Sequence, residues 1–119
     1  MTIAIESSAT LTKLTLDGPV EAEESSDLRE KIETLMRSSS AVKVIDMTGV
    51  EFIDSFALGQ IVYYCNNAGG GNGPVYVLNR KTGRETYMDR LIEISELRQV
   101  FTIVDSLEAI GGTPEKSGG

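Results

Sequence analysis

Hydrophobic positions along the chain change period repeatedly, and each change marks an element. Ile3 and Ile5 alternate with Thr2 and Ala4, while Thr12, Leu14 and Leu16 fall on one face of the next segment, so two early strands are expected. Ser7-Ser8 marks the turn between them. Asp17-Gly18-Pro19 is expected to end the second strand, because Gly tolerates positive φ and Pro cannot donate to a ladder. Leu11 is out of phase with Leu14 and Leu16, which points to a bulge or twist near Lys13. Leu28, Ile32, Leu35 and Met36 then repeat at helical spacing behind an acidic approach of Glu21, Glu23, Glu24 and Asp27. Asp27 and Glu30 have the spacing of a capping box, and Ser38-Ser39-Ser40 reads as the loop that closes the helix.

Val42, Val44 and Ile45 lie in a short apolar run of the kind found in strands covered on both faces, and a turn shaped by Thr48 and Gly49 is expected after it. Leu58, Ile61, Val62 and Cys65 recur at helical offsets, so a second helix follows, with Ser55 at its start. The Gly-rich stretch from Ala68 to Pro74 breaks that helix. It lacks a Gly-Lys-Ser/Thr ending and follows a helix, so it reads as a flexible turn and not as a phosphate loop. Val75 to Leu78 is a short strand, and Tyr87, Met88, Leu91 and Ile94 give another amphipathic helix. Phe101 to Val104 supplies a last strand, Ser106 is placed to cap a short helix through Ile110, and residues 111–119 form a flexible tail. After the opening hairpin, strands and helices alternate, which calls for a largely parallel sheet with right-handed crossovers.

Composition narrows the functional classes. With 119 residues and 40% hydrophobic content, the chain supports one ordinary core without disulfides. Eighteen acidic against eleven basic residues leave a net charge of −7, which disfavours nucleic acid and acidic membrane surfaces as partners. Arg80, Lys81 and Arg84 form the densest basic patch and read as a solvated face. No stretch approaches about twenty apolar residues, and the N-terminus has no basic region leading into an apolar one, so a cytoplasmic protein is expected. Histidine is absent, which removes Ser-His-Asp and Cys-His catalysis and any His-bearing zinc site. The lone Cys65, set in the apolar stripe, reads as a core residue. No enzyme activity, cofactor or metal is expected.

Asp54-Ser55 carries two readings. Either residue can cap the helix, a role worth about 0.5–2 kcal/mol. Alternatively, the Ser55 hydroxyl at an exposed helix start is a phosphorylation switch, where phosphate adds roughly −1.5 to −2 charges beside N–H groups and a dipole that favour an anion. The stretch VIDMTGVEFIDSFALG resembles the signature of the STAS domain of bacterial anti-sigma-factor antagonists: a strand, a Gly-Val turn, then Asp-Ser before a helix rich in Leu and Gly. Asp17-Gly18 followed ten residues later by Leu28, and RLIEISELRQVF from Arg90 to Phe101, are similar to two further family segments, and the three pieces stand in order across most of residues 1–110.

The resemblance implies a single STAS domain over residues 1–110, with a four- or five-stranded mixed, largely parallel sheet and helices mainly on one side. It places the phosphoacceptor at Ser55, and it implies an unphosphorylated form that binds an anti-sigma factor with serine kinase activity. A PP2C-type phosphatase would reverse the modification. Asp54, Ser55, Phe56 and the acidic Glu21, Glu23 and Glu24 are the expected partner-binding residues. Two departures stand out: Phe56-Ala57 follow Ser55 where many antagonists have a small residue and Gly, and Glu96 replaces a family Gly at a turn expected to need positive φ. Asp-Ser-Phe looks more like the STAS proteins of stressosome scaffolds, and a STAS subunit of a membrane ABC transporter is a further alternative. A small-molecule sensor with a pocket near the strand ends is a third.

Overall fold

The fold follows from a sheet buried on both faces but covered unequally. The computed structural model describes residues 2–21, 25–67 and 75–110. Five strands, β1 (Thr2–Ser7), β2 (Leu11–Val20), β3 (Val42–Ile53), β4 (Val75–Leu78) and β5 (Thr102–Val104), form one sheet in that spatial order. β1 and β2 pair antiparallel, and every other neighbouring pair is parallel. Parallel neighbours need a crossover. It is supplied by α1 (Ser25–Arg37), by α2 (Ser55–Asn67), and by α3 (Tyr87–Ile94) with the single-turn α4 (Leu97–Val100).

Alternation along each strand divides the interior. Leu14, Leu16, Ile45, Met47 and Val77 point to the helical side and pack with Leu28, Ile32 and Leu35 of α1, Ala57 and Ile61 of α2, and Met88 and Ile92 of α3. The opposite face buries Val44 and Leu78 under Ile110, with Leu11, Val42, Tyr76, Val104 and Leu107 around them. Leu11 is therefore out of phase because it belongs to this second cluster; pairing with β1 and β3 is regular through Lys13, and the register shifts lie between Thr15 and Asp17 and between Gly18 and Pro19.

Those shifts explain two further differences from the sequence reading. Asp17-Gly18-Pro19 does not end β2: Gly18 takes φ 86°, and the strand continues until Val20 pairs with Ile53. Thr48-Gly49 makes no turn either, because β3 runs unbroken to Ile53. Gly49 is small for a packing reason, since a Cβ there would lie 1.8 Å from Asp17 Oδ1. Asp27 falls inside the first turn of α1 and so cannot head a capping box. The capping box is found at α3, where Thr86 Oγ1 accepts from Asp89 N and Asp89 Oδ2 accepts from Thr86 N. On α3 the buried positions are Met88 and Ile92, while Ile94 is 81% exposed.

At Glu96 no residue adopts positive φ. Ser95 leaves α3 in an extended conformation, Glu96 sits at φ −103°, and α4 restarts the helix with Leu97 N donating to Ser95 Oγ. Phe101 closes α4 instead of opening β5, and Ser106 caps the 3-10 turn Leu107–Ala109 as expected. Glu23, Glu24, the Gly-rich stretch, the tail and the side chain of Cys65 lie outside the described residues. No helix among the described residues is long and apolar enough to cross a membrane.

Candidate functional site

The end of β3 delivers Asp54 and Ser55 to the rim of the sheet. Val20 O accepts from Asp54 N at 3.1 Å, the last backbone bond that β2 makes to this chain segment, and it brings the exposed Glu21 next to Asp54. Asp54 O accepts from Leu58 N at 3.0 Å, and Asp54 Oδ1 accepts from Ala57 N at 2.8 Å. This is the N-cap geometry, in which a side-chain oxygen satisfies an orphan N–H of the first turn. Asp54 is thus the cap. Ser55, the first helical residue, is exposed, and its hydroxyl makes no hydrogen bond among the described residues.

Apolar surface surrounds that hydroxyl. Phe52 is 43% exposed and leans on Tyr87 with ring centroids 6.0 Å apart, and Tyr87 donates its hydroxyl to Ile53 O at 3.2 Å. Phe56 is 58% exposed and Tyr63 59%. Together with Ser55, Gly59, Gln60 and Tyr64 they line a shallow groove of about 350 Å³ along α2. Beyond the chain neighbours and helix backbone of Gly59 itself, no heavy atom stands within 4 Å of where its Cβ would sit, so the groove floor is open. Tyr63 and Tyr64 meet edge to face at 5.1 Å, which stiffens one wall.

Of the residues singled out from sequence, Glu21, Asp54, Ser55 and Phe56 come together at this rim. Phe52, Gly59, Tyr63 and Tyr87 were missed. A signal for part of them existed: Phe56, Gly59, Gln60 and Tyr63 have offsets of three, four and seven, the same period as the buried stripe but on the outer face of α2.

Behind the rim, Asp46 is 5% exposed and is held by Thr48 N at 3.0 Å and by Arg80 Nη1 at 2.7 Å, while Arg80 N donates to Thr48 Oγ1 at 2.8 Å. At the opposite pole, buried Thr12 bonds Ser38 at 2.6 Å and Ser40 at 2.8 Å, and Ser40 Oγ reaches Ser8 O. Both networks tie loops to the sheet, away from the half-buried Asp54 and the exposed Ser55.

This arrangement, a mixed five-stranded sheet with a capped helix start at the carboxyl end of its central strand, is that of a STAS domain. The STAS domain model matches residues 2–110, and the chain belongs to this family. Among solved structures, an anti-sigma factor antagonist from Mycobacterium paratuberculosis is similar at 21% identity and TM-score 0.73, over 91% of this chain and 88% of that one. The phosphorylated form of the Bacillus cell fate determinant SpoIIAA aligns at 18% identity and TM-score 0.63, over 92% and 96%. The murine Solute Carrier 26 family anion transporter in its inward-facing state matches at 17% identity and TM-score 0.60, over 87% of this chain but 17% of that one. Identities at this level establish the shared fold.

Proposed function

We propose that this protein is an anti-sigma-factor antagonist that works by partner exchange. Its unphosphorylated form binds an anti-sigma factor with serine kinase activity and so frees a sigma factor. The kinase, using ATP and magnesium, phosphorylates Ser55, and a PP2C-type phosphatase restores the hydroxyl. The protein is the substrate and not the enzyme, and it regulates transcription from the cytoplasm without itself touching nucleic acid.

One observation carries this reading: Asp54 does the capping, so the exposed Ser55 hydroxyl is spare, and it stands between apolar side chains that a partner would bury. In the free protein a phosphate at the first helical position is welcomed by the N–H groups and the dipole. In a complex the same phosphate, beside Asp54 and Glu21, must be desolvated within an interface that fitted a neutral hydroxyl. A mismatch of about 3 kcal/mol weakens affinity roughly a hundredfold, enough for a switch.

The test is a pull-down from the native cell extract with wild type and Ser55→Asp, read by mass spectrometry, followed by incubation of the captured kinase with ATP and magnesium. Wild type is expected to recover a serine-kinase anti-sigma factor that Ser55→Asp does not, and phosphate is expected on wild type but not on Ser55→Ala. Recovery of transporter subunits or of a large STAS assembly, indifferent to Ser55, overturns the proposal.

A further inference from the structure

The two edges of the sheet are protected unequally. β5 is three residues long and runs straight into Asp105, so it offers little to pair with. β1 is six residues long, carries neither Lys nor Pro, and pairs with β2 without a register shift. Its outer side has no backbone partner among the described residues. Alternate residues of such a strand aim N–H and C=O groups away from the sheet, and soluble proteins usually block that row with a bulge, a proline or a lysine. The one charge on β1, Glu6, lies directly opposite Lys13 of β2, a cation that offsets it.

Side chains make this row selective. Ile3 and Ile5 lie opposite Leu16 and Leu14, so they share the helical side and pack on the main core, yet both stay half-buried with no strand beyond β1 to flank them. Thr2, Ala4 and Glu6 occupy the other face and are exposed. A strand added here must bring apolar side chains to the isoleucines and uncharged ones to Glu6. The last nine residues of the chain, GGTPEKSGG, hold a proline and no large apolar side chain, so they do not match. A second β1 does.

A two-fold axis perpendicular to the sheet sets two copies of β1 antiparallel and keeps both helical layers on one side, so odd residues meet odd residues. With Ala4 on the axis, Ile3 meets Ile5 of the second copy, Ile5 meets its Ile3, and Thr2 meets its Glu6, so no like charges are opposed. Moving the axis to Ile3 or Ile5 keeps one isoleucine pair instead of two. We propose that β1 is a self-association edge, through which two copies join their five-stranded sheets by pairing residues 2–6 antiparallel about Ala4. The new ladder adds about four to six backbone hydrogen bonds, according to whether odd or even residues face outward. β1 reaches only Asp17 of β2, whereas the Ser55 rim begins past Val20, so the rim stays open in both copies and the partner-exchange reading does not depend on this edge.

The untagged full chain is followed by sedimentation velocity from about 5 µM to about 500 µM, and its isotope-labelled form by backbone amide shifts over the same range. A monomer–dimer equilibrium with Kd inside that range is expected, with concentration-dependent shifts at residues 2–6 and none at Phe56 or Tyr63. Ala4→Lys, at an exposed position, sets two like charges on the axis; it is expected to leave the Tm of a dilute sample unchanged and to raise Kd about fivefold or more. Ala4→Glu is expected to do the same. An equimolar mixture of the two variants is expected to regain wild-type association, because residue 4 of one copy then meets the opposite charge at residue 4 of the other. A sedimentation coefficient constant up to about 500 µM, shifts on α2 in place of β1, or a mixture that associates no more tightly than either variant alone would overturn the proposal.

Discussion

Asp54→Ala and Ser55→Ala separate the two neighbours, because the structure gives them different work. Asp54 Oδ1 accepts from Ala57 N at 2.8 Å, and its carboxylate stands at the positive end of the α2 dipole. Truncating an N-cap costs about 1 kcal/mol, and losing the negative charge adds about 0.3–1 kcal/mol. The expected total of about 1–2 kcal/mol lowers Tm by roughly 4–8 °C in a domain of this size. Asp54→Asn keeps the acceptor and loses the charge, so it should fall between wild type and Asp54→Ala. Ser55 is exposed and makes no hydrogen bond among the described residues, so Ser55→Ala should stay within about 0.5 kcal/mol of wild type.

Urea and thermal melts of the four proteins, followed by far-ultraviolet circular dichroism, decide the matter. If Ser55→Ala destabilises as much as Asp54→Ala, Ser55 is the cap, and the spare hydroxyl on which the switch depends does not exist. If the order is as expected, loss of phosphate incorporation in Ser55→Ala reports a lost acceptor in an intact fold.

Two further outcomes test the supporting networks. The Thr86 N–H, then the Asn79 amide, hold the Asp89 carboxyl below its ordinary value of 3.8. A depressed folded-state pKa gives stability that is full above the unfolded pKa and is lost as pH falls through the folded one. Asp89→Asn should therefore lose less Tm than wild type between about pH 5 and pH 2, and parallel acid profiles would refute the assignment. Arg80→Ala leaves the buried Asp46 without its 2.7 Å partner; because the Arg80 side chain is 44% exposed, solvent already weakens the pair, and a cost of about 1–3 kcal/mol is expected. Arg80→Lys should recover part of that loss, and an Arg80→Ala urea midpoint equal to wild type would show the pair to be idle.

Periodicity made most elements legible, because a helix or strand buried on one side repeats its apolar residues at 3.6 or 2. What failed was punctuation. Gly49 reads as a turn residue because glycine usually frees the backbone; in the fold its φ is not positive, and glycine is needed there because the Asp17 carboxylate occupies the space of a Cβ. Only pairing between β2 and β3 creates that constraint, and no local window contains both residues. Leu11 reads as an irregularity for a similar reason: strand alternation assigns one face to the core, whereas this sheet buries both.

The capped helix start was legible from Asp54-Ser55 and the stretch around it, but the aromatic rim was not, since exposure of Phe52 and Tyr63 depends on what fails to cover them. The parting of Asn79 and Arg80 after β4 was hidden by a subtler effect. Arg80, Lys81 and Arg84 read as one solvated basic face, yet the alternation of β4 continues past Leu78 and sends Asn79 and Arg80 to opposite sides. Arg80 follows Leu78 to the face of Val44 and meets Asp46, while Asn79 follows Val77 to the helical face and meets Asp89. Adjacent residues thereby enter different environments: the cation neutralises a buried carboxylate on one side, and on the other the Asn79 amide donates to the Asp89 carboxylate. The charge of a run of residues is thus a poor guide to the charge of the surface it builds, because a strand sends successive side chains to opposite sides of the sheet.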